Sequence, residues 1–67
     1  MIYKFKKDDV DFEVELIQDL DNGKVLSEHV VLSVSDFDTD EWNSIHLNKK
    51  DVYHLIGALH LLHKEMK

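Results

Sequence analysis

From Val10 to Leu16 every second residue is apolar, with Val10, Phe12, Val14 and Leu16 alternating with Asp11, Glu13 and Glu15. A helix, with its period of 3.6, cannot sort these seven residues into an apolar and a charged face. An extended strand, with its period of two, sorts them completely. The run is therefore read as a half-buried strand, and its neighbours have to supply the cover for its apolar side. Ile2 to Lys6 alternates in the same way, with Tyr3 and Phe5 on one face and Lys4 and Lys6 on the other. If Asp8 and Asp9 form the loop between the two runs, Phe5 meets Phe12 and Tyr3 meets Val14, while Lys6 meets Asp11 and Lys4 meets Glu13. Both faces agree with that register, so the two runs are expected to form an antiparallel hairpin.

The next turn is marked by Asp21-Asn22-Gly23. A two-residue Asn-Gly loop is the usual choice for such a signal, but continued without interruption it would set Glu13 opposite Leu32 and Glu15 opposite Val30. A three-residue loop with Gly23 in the left-handed region keeps the apolar residues together. It predicts Val10 opposite Val34, Phe12 opposite Leu32, Val14 opposite Val30 and Glu15 opposite His29. The third strand is then expected over residues 24–34, bent near Ser27. Asp36 to Glu41 reads as a connecting loop, and Ser44 to Leu47 as a short fourth strand with Ile45 and Leu47 inward.

Beyond this point the period changes. Val52, Leu55, Ile56, Leu59, Leu62 and Met66 fall on one helical stripe. Asn48 is a suitable N-cap, and Asp51 three residues on approximates a capping box. Lys64 and Lys67 suit the negative C-terminal end. The spacing predicts a helix over 49–66. The expected fold is α+β, a single domain over residues 1–67. It is a three- or four-stranded antiparallel meander with one C-terminal helix packed on one face.

Charge narrows the function. Residues 8–41 hold twelve acids and one lysine, a net of −11, whereas the whole chain carries −6. There is no arginine, so the fork that clamps phosphates is missing, and the negative middle would repel a nucleic-acid backbone. Direct nucleic-acid binding is not expected; a protein with a basic surface fits better. No apolar run is long enough to span a membrane. With no cysteine there is no disulfide framework or thiolate site, and a cytoplasmic location is the expectation.

Candidate chemistry is sparse. Asp36, Asp38 and Asp40 take the first, third and fifth places of a calcium loop, but glycine at the sixth place and glutamate at the twelfth are missing. His60 and His63 can share a helix face, yet zinc needs three or four ligands, and His29 and His46 show no evident convergence. No Gly-rich phosphate loop and no nucleophile motif occurs, and a domain of this size is expected to have little room for a pocket of several hundred Å³. No catalytic site, metal site or cofactor is expected.

Two binding surfaces qualify. On the outer face of the helix, Tyr53, Gly57 and Leu61 form a line at spacings of four, and a mid-helix glycine suggests close approach by another backbone. This line is the expected self-association surface of a homodimer, since small domains without cross-links gain stability by associating. The second surface is acidic. Along a strand, Glu13 and Glu15 stand about 6.8 Å apart, similar to successive phosphates on a nucleic-acid strand. With Asp19, Asp21, Asp36, Asp38, Asp40 and Glu41 they form a surface able to imitate a nucleic-acid backbone.

The segment Leu16-Ile17-Gln18-Asp19-Leu20-Asp21-Asn22-Gly23-Lys24, followed by Leu32-Ser33-Val34-Ser35-Asp36-Phe37, resembles part of the small acidic uracil-DNA glycosylase inhibitors of Bacillus phages. It lies within residues 16–37, about a third of the chain. The resemblance implies a β-rich dimer that sequesters the DNA-binding surface of its target, with Phe37 as a target-contacting aromatic. In that family the Ser-Asp-Phe region belongs to a helix, for which residues 38–42 leave little room here. The chain thus reads as a non-enzymatic protein-binding module, in its concrete form a phage-type inhibitor of a host DNA-processing or defence protein. The alternative is a structural or accessory subunit that docks through its exposed helix face.

Overall fold

The computed structural model describes residues 1–36 and 41–67. Four strands, β1 (Ile2–Lys7), β2 (Val10–Asp21), β3 (Lys24–Asp36) and β4 (Glu41–Leu47), pair antiparallel in chain order, and helix α1 (Lys49–Glu65) follows. The α+β meander with one C-terminal helix is the fold that the periodicities predict.

The first hairpin has the expected register, with Phe5 against Phe12, Tyr3 against Val14, Lys6 against Asp11 and Lys4 against Glu13. The Phe5 and Phe12 rings stack with centroids 4.9 Å apart. Asp8, at φ 54, takes the left-handed conformation that lets so short a loop reverse the chain.

The second hairpin departs from expectation. Asp21 pairs with Lys24, so Asn22 and Gly23 alone make the turn, both with positive φ (51 and 80). The loop is therefore two residues long, not three. The apolar pattern survives because the register shifts after Asp19: Leu20 pairs with Val25 but Asp19 pairs with Ser27, leaving Leu26 as an extra residue. This bulge, close to the bend expected at Ser27, restores the parity that the two-residue turn would have lost. The resulting pairs are Phe12 with Val34, Val14 with Leu32 and Leu16 with Val30, two residues along from the expected ones but on the same faces. Glu15 accordingly meets Val31, and His29 meets Ile17.

Strands β3 and β4 are longer than predicted. Ser35 pairs with Trp42 and Asp36 with Glu41, so Asp36 ends β3 and Glu41 begins β4 where a loop was expected. Strand β4 starts three residues before Ser44. The helix begins as the capping box requires. The backbone N–H of Asp51 donates to Asn48 Oδ1 at 2.8 Å, and that of Asn48 donates to Asp51 Oδ2 at 3.0 Å. At the far end the Met66 N–H donates to the His63 carbonyl at 3.2 Å.

The pairing segregates the sheet into two faces. Tyr3, Phe5, Phe12, Val14, Leu16, Val30, Leu32, Val34, Ile45 and Leu47 point to one side. The helix stripe looks toward that side, but among the described residues the helix backbone comes close only to β3 and β4. Among the described residues no apolar side chain is fully buried. On the helix only Val52 is half-buried; Ile56 and Leu59 remain 62% and 57% exposed.

Candidate functional site

The opposite face of the sheet carries the acids. Strand β2 places Asp11, Glu13, Glu15 and Asp19 on it, because the β2 residues of odd number share one side up to the bulge. The first three are about 6.8 Å apart in succession, and Asp11 to Asp19 spans about 27 Å. Ile17 interrupts the row at the position between Glu15 and Asp19. From β1, Lys4 and Lys6 share this face. Lys4 Nζ lies 3.7 Å from Glu13 Oε1, with the lysine two-thirds exposed. So exposed a pair adds little stability, but it does offset the charge of Glu13. Asp19 accepts a hydrogen bond from Ser27 Oγ at 3.4 Å, which ties it across the hairpin arm.

The remaining expected contact residues are scattered. Asp21 stands at the tip of the second hairpin, and Glu41 begins β4 with its side chain exposed. Asp36 closes β3 in the sheet. Phe37, Asp38 and Asp40 lie outside the described residues. The structure thus brings Glu13, Glu15 and Asp19 onto one face and sets Asp21 and Glu41 at two different edges of the molecule. Ser35, in the Ser-Asp-Phe segment, is buried in β3 and accepts a hydrogen bond from the Asp11 N–H at 3.3 Å. Ser35 and Asp36 are therefore in a strand here.

One feature of this face was not expected from the sequence. The imidazoles of His29 and His46 stack with centroids 5.1 Å apart. The pairing of His46 with Val31 sets it diagonally across from His29, so the two rings do converge. The spacing of the two residues carries that signal only once the register of β3 against β4 is known. Among the described residues no group of three or more histidines, aspartates or glutamates is placed to hold a metal ion.

The helix line Tyr53, Gly57 and Leu61 is exposed, with Tyr53 at 74% and Leu61 at 65%. A side chain at Gly57 would meet nothing within 4 Å in the single chain. On the inner side, the helix and sheet enclose an open cleft of about 450 Å³, lined by Phe5, Phe12, Val14 and Leu32 from the sheet and by Val52, Leu55, Ile56 and Leu59 from the helix. A pocket of this size was not expected in so short a chain. Its walls offer no acid, base or nucleophile, so what it can do is hold apolar groups.

No protein family, no curated protein and no solved structure matches this chain. Among the described residues no helix is long and apolar enough to cross a membrane.

Proposed function

We propose that this chain is a small protein-binding module whose acidic sheet face meets a partner with a basic surface. The observation that carries this reading is the row Asp11, Glu13, Glu15 and Asp19, presented on one face with a repeat close to that of a phosphate backbone. A rigid strand holds those carboxylates at fixed spacing, so they complement a surface built for a nucleic acid better than the same charges on a loose segment. The concrete version is an inhibitor of phage type that occludes a host DNA-processing or defence protein.

The test is capture of partners from host cells, with the wild type and with a Glu15→Lys, Asp19→Lys double variant. The expected result is loss of the captured protein in the double variant, competition by added duplex DNA, and release at about 0.5 M salt, where the screening length falls to about 4 Å. Capture that survives charge reversal and salt overturns the reading. Uracil-DNA glycosylase is the first target to assay, on the resemblance of residues 16–37. Unchanged uracil excision at molar excess of this chain removes that target and leaves the acidic-face reading to the capture experiment.

A second reading is favoured by the exposure of Tyr53 and Leu61 on the outer helix line. In it, the chain is an accessory subunit that docks by this line on a larger assembly. Loss of capture in Leu61→Lys, with no effect of Glu15→Lys and Asp19→Lys, selects it over the first.

A further inference from the structure

The apolar sheet face and the helix stripe are each half of a core. Between them lies the 450 Å³ cleft, whose walls are aliphatic and phenyl groups throughout. Water against such walls is what the hydrophobic effect removes. The deficit has a measurable size. A compact protein of 7.9 kDa exposes about 4,400 Å², whereas this chain exposes 6165 Å². The surplus is about 1,750 Å² per chain on that scaling. The radius of gyration agrees, at 14.6 Å against about 11 Å for a compact chain of this length.

We propose that the cleft is filled by a second copy of this chain, each copy laying the inner stripe of its helix on the apolar sheet face of the other. Two copies that each bury the surplus remove about 3,500 Å² in total, within the range of about 2,000–5,000 Å² found for obligate homodimers. The area is thus what a stable dimer needs. A second copy also supplies both missing halves at once, because each chain carries one uncovered sheet face and one uncovered stripe. The contact is isologous and closes on itself. A helix of 17 residues extends about 25 Å, long enough to cross all four strands, the outermost of which lie about 14 Å apart. The like-charged chains approach through their neutral sides, since Glu13, Glu15 and Asp19 stand on the opposite face. The inference is independent of what that acidic face binds.

Sedimentation and thermal unfolding of the whole chain over concentrations from about 1 to 500 µM test it. The expected species has twice the mass of the chain, with a melting midpoint that rises with protein concentration, as linkage requires. Ile56→Lys and Leu59→Lys, on the inner stripe, are expected to shift the equilibrium toward monomer by at least about tenfold, whereas Leu61→Lys, on the outer line, leaves the dimer in place. A monomer at the highest concentration, with a midpoint independent of concentration, overturns the proposal and means that the helix closes on its own sheet. A dimer lost in Leu61→Lys and kept in Leu59→Lys also overturns it, as does an open-ended larger assembly. The wild-type concentration dependence decides the matter even if the inner variants fail to fold.

Discussion

Gly23 and Gly57 are the two glycines of the chain, and they stand in opposite situations. Gly23, at φ 80, occupies a conformation that side-chain-bearing residues disfavour, while the space around it is empty. Gly23→Ala is therefore a purely conformational change, expected to cost about 1 kcal/mol, near the lower end of the left-handed penalty, by urea denaturation. Gly57 sits in the middle of a helix, and a Cβ added there would likewise meet nothing within 4 Å. Gly57→Ala is expected to raise stability by about 1 kcal/mol through helix propensity alone, with association unchanged. Weakened association in Gly57→Ala would instead place another backbone against that position. Asn48 is the third residue whose role is local. It exchanges two side-chain-to-backbone hydrogen bonds with Asp51 at the start of α1. Asn48→Ala is expected to cost about 1 kcal/mol, as loss of a cap does, with a matching loss of helical signal by circular dichroism.

At the scale of the element, Leu26 reconciles the turn with the strands. An Asn-Gly turn of two residues, continued without interruption, would pair the even positions of β2 with the odd positions of β3 and turn Val30, Leu32 and Val34 to the acidic face. One extra residue at Leu26 cancels that slip. Deleting Leu26 removes only the unpaired residue. Asp21 still meets Lys24 and Leu20 still meets Val25, while Asp19 meets Ser27 without a break in the ladder. The Leu26 deletion is therefore expected to fold with a stability within about 1 kcal/mol of the wild type, the range of a surface change that breaks no contact in the core. Deleting Ser33 instead moves Val34 into a position that faces the acidic side, or pulls the rest of β3 out of register with β2 and β4. That deletion is expected to unfold the sheet, and urea titrations of the two variants compare them. An unfolded Leu26 deletion would mean that the twist of the bulge, not only its parity, holds the arm. The same strands show where sequence was legible. Strict alternation in Val10 to Leu16 and matched charges on β1 and β2 determined the first hairpin, and Asn48 with Asp51 determined the helix start. The bulge was hidden because a slip of two residues leaves each face apolar or polar as before. The ends of β3 and β4 were hidden because Ser35, Asp36, Glu41 and Trp42 carry no alternation, and their pairing follows from neighbours already in register.

At the scale of the whole molecule, the segregation of charge assigns opposite salt responses to the two surfaces. Acidic positions on β2 were legible as one row, since period two alone aligns Asp11, Glu13 and Glu15. The uncovered cleft was not, because a helical stripe declares that it needs cover without declaring which surface supplies it. Two chains that each carry −6 repel one another at a distance, and salt relieves that repulsion as the screening length falls from about 10 Å at 0.1 M to about 3 Å at 1 M. An apolar contact between the neutral sides has no charge pairs to lose. Self-association is therefore expected to hold or tighten between about 0.1 and 1 M salt, measured by sedimentation equilibrium. Capture of a basic partner through Glu15 and Asp19 depends on attraction that the same screening removes, and is expected to weaken by about tenfold or more. One salt series thus reads both surfaces. Self-association that weakens with salt in parallel with capture would place the acidic row inside the contact between the two copies, since an interface that pairs those carboxylates with lysines of the other copy would lose attraction in step with it.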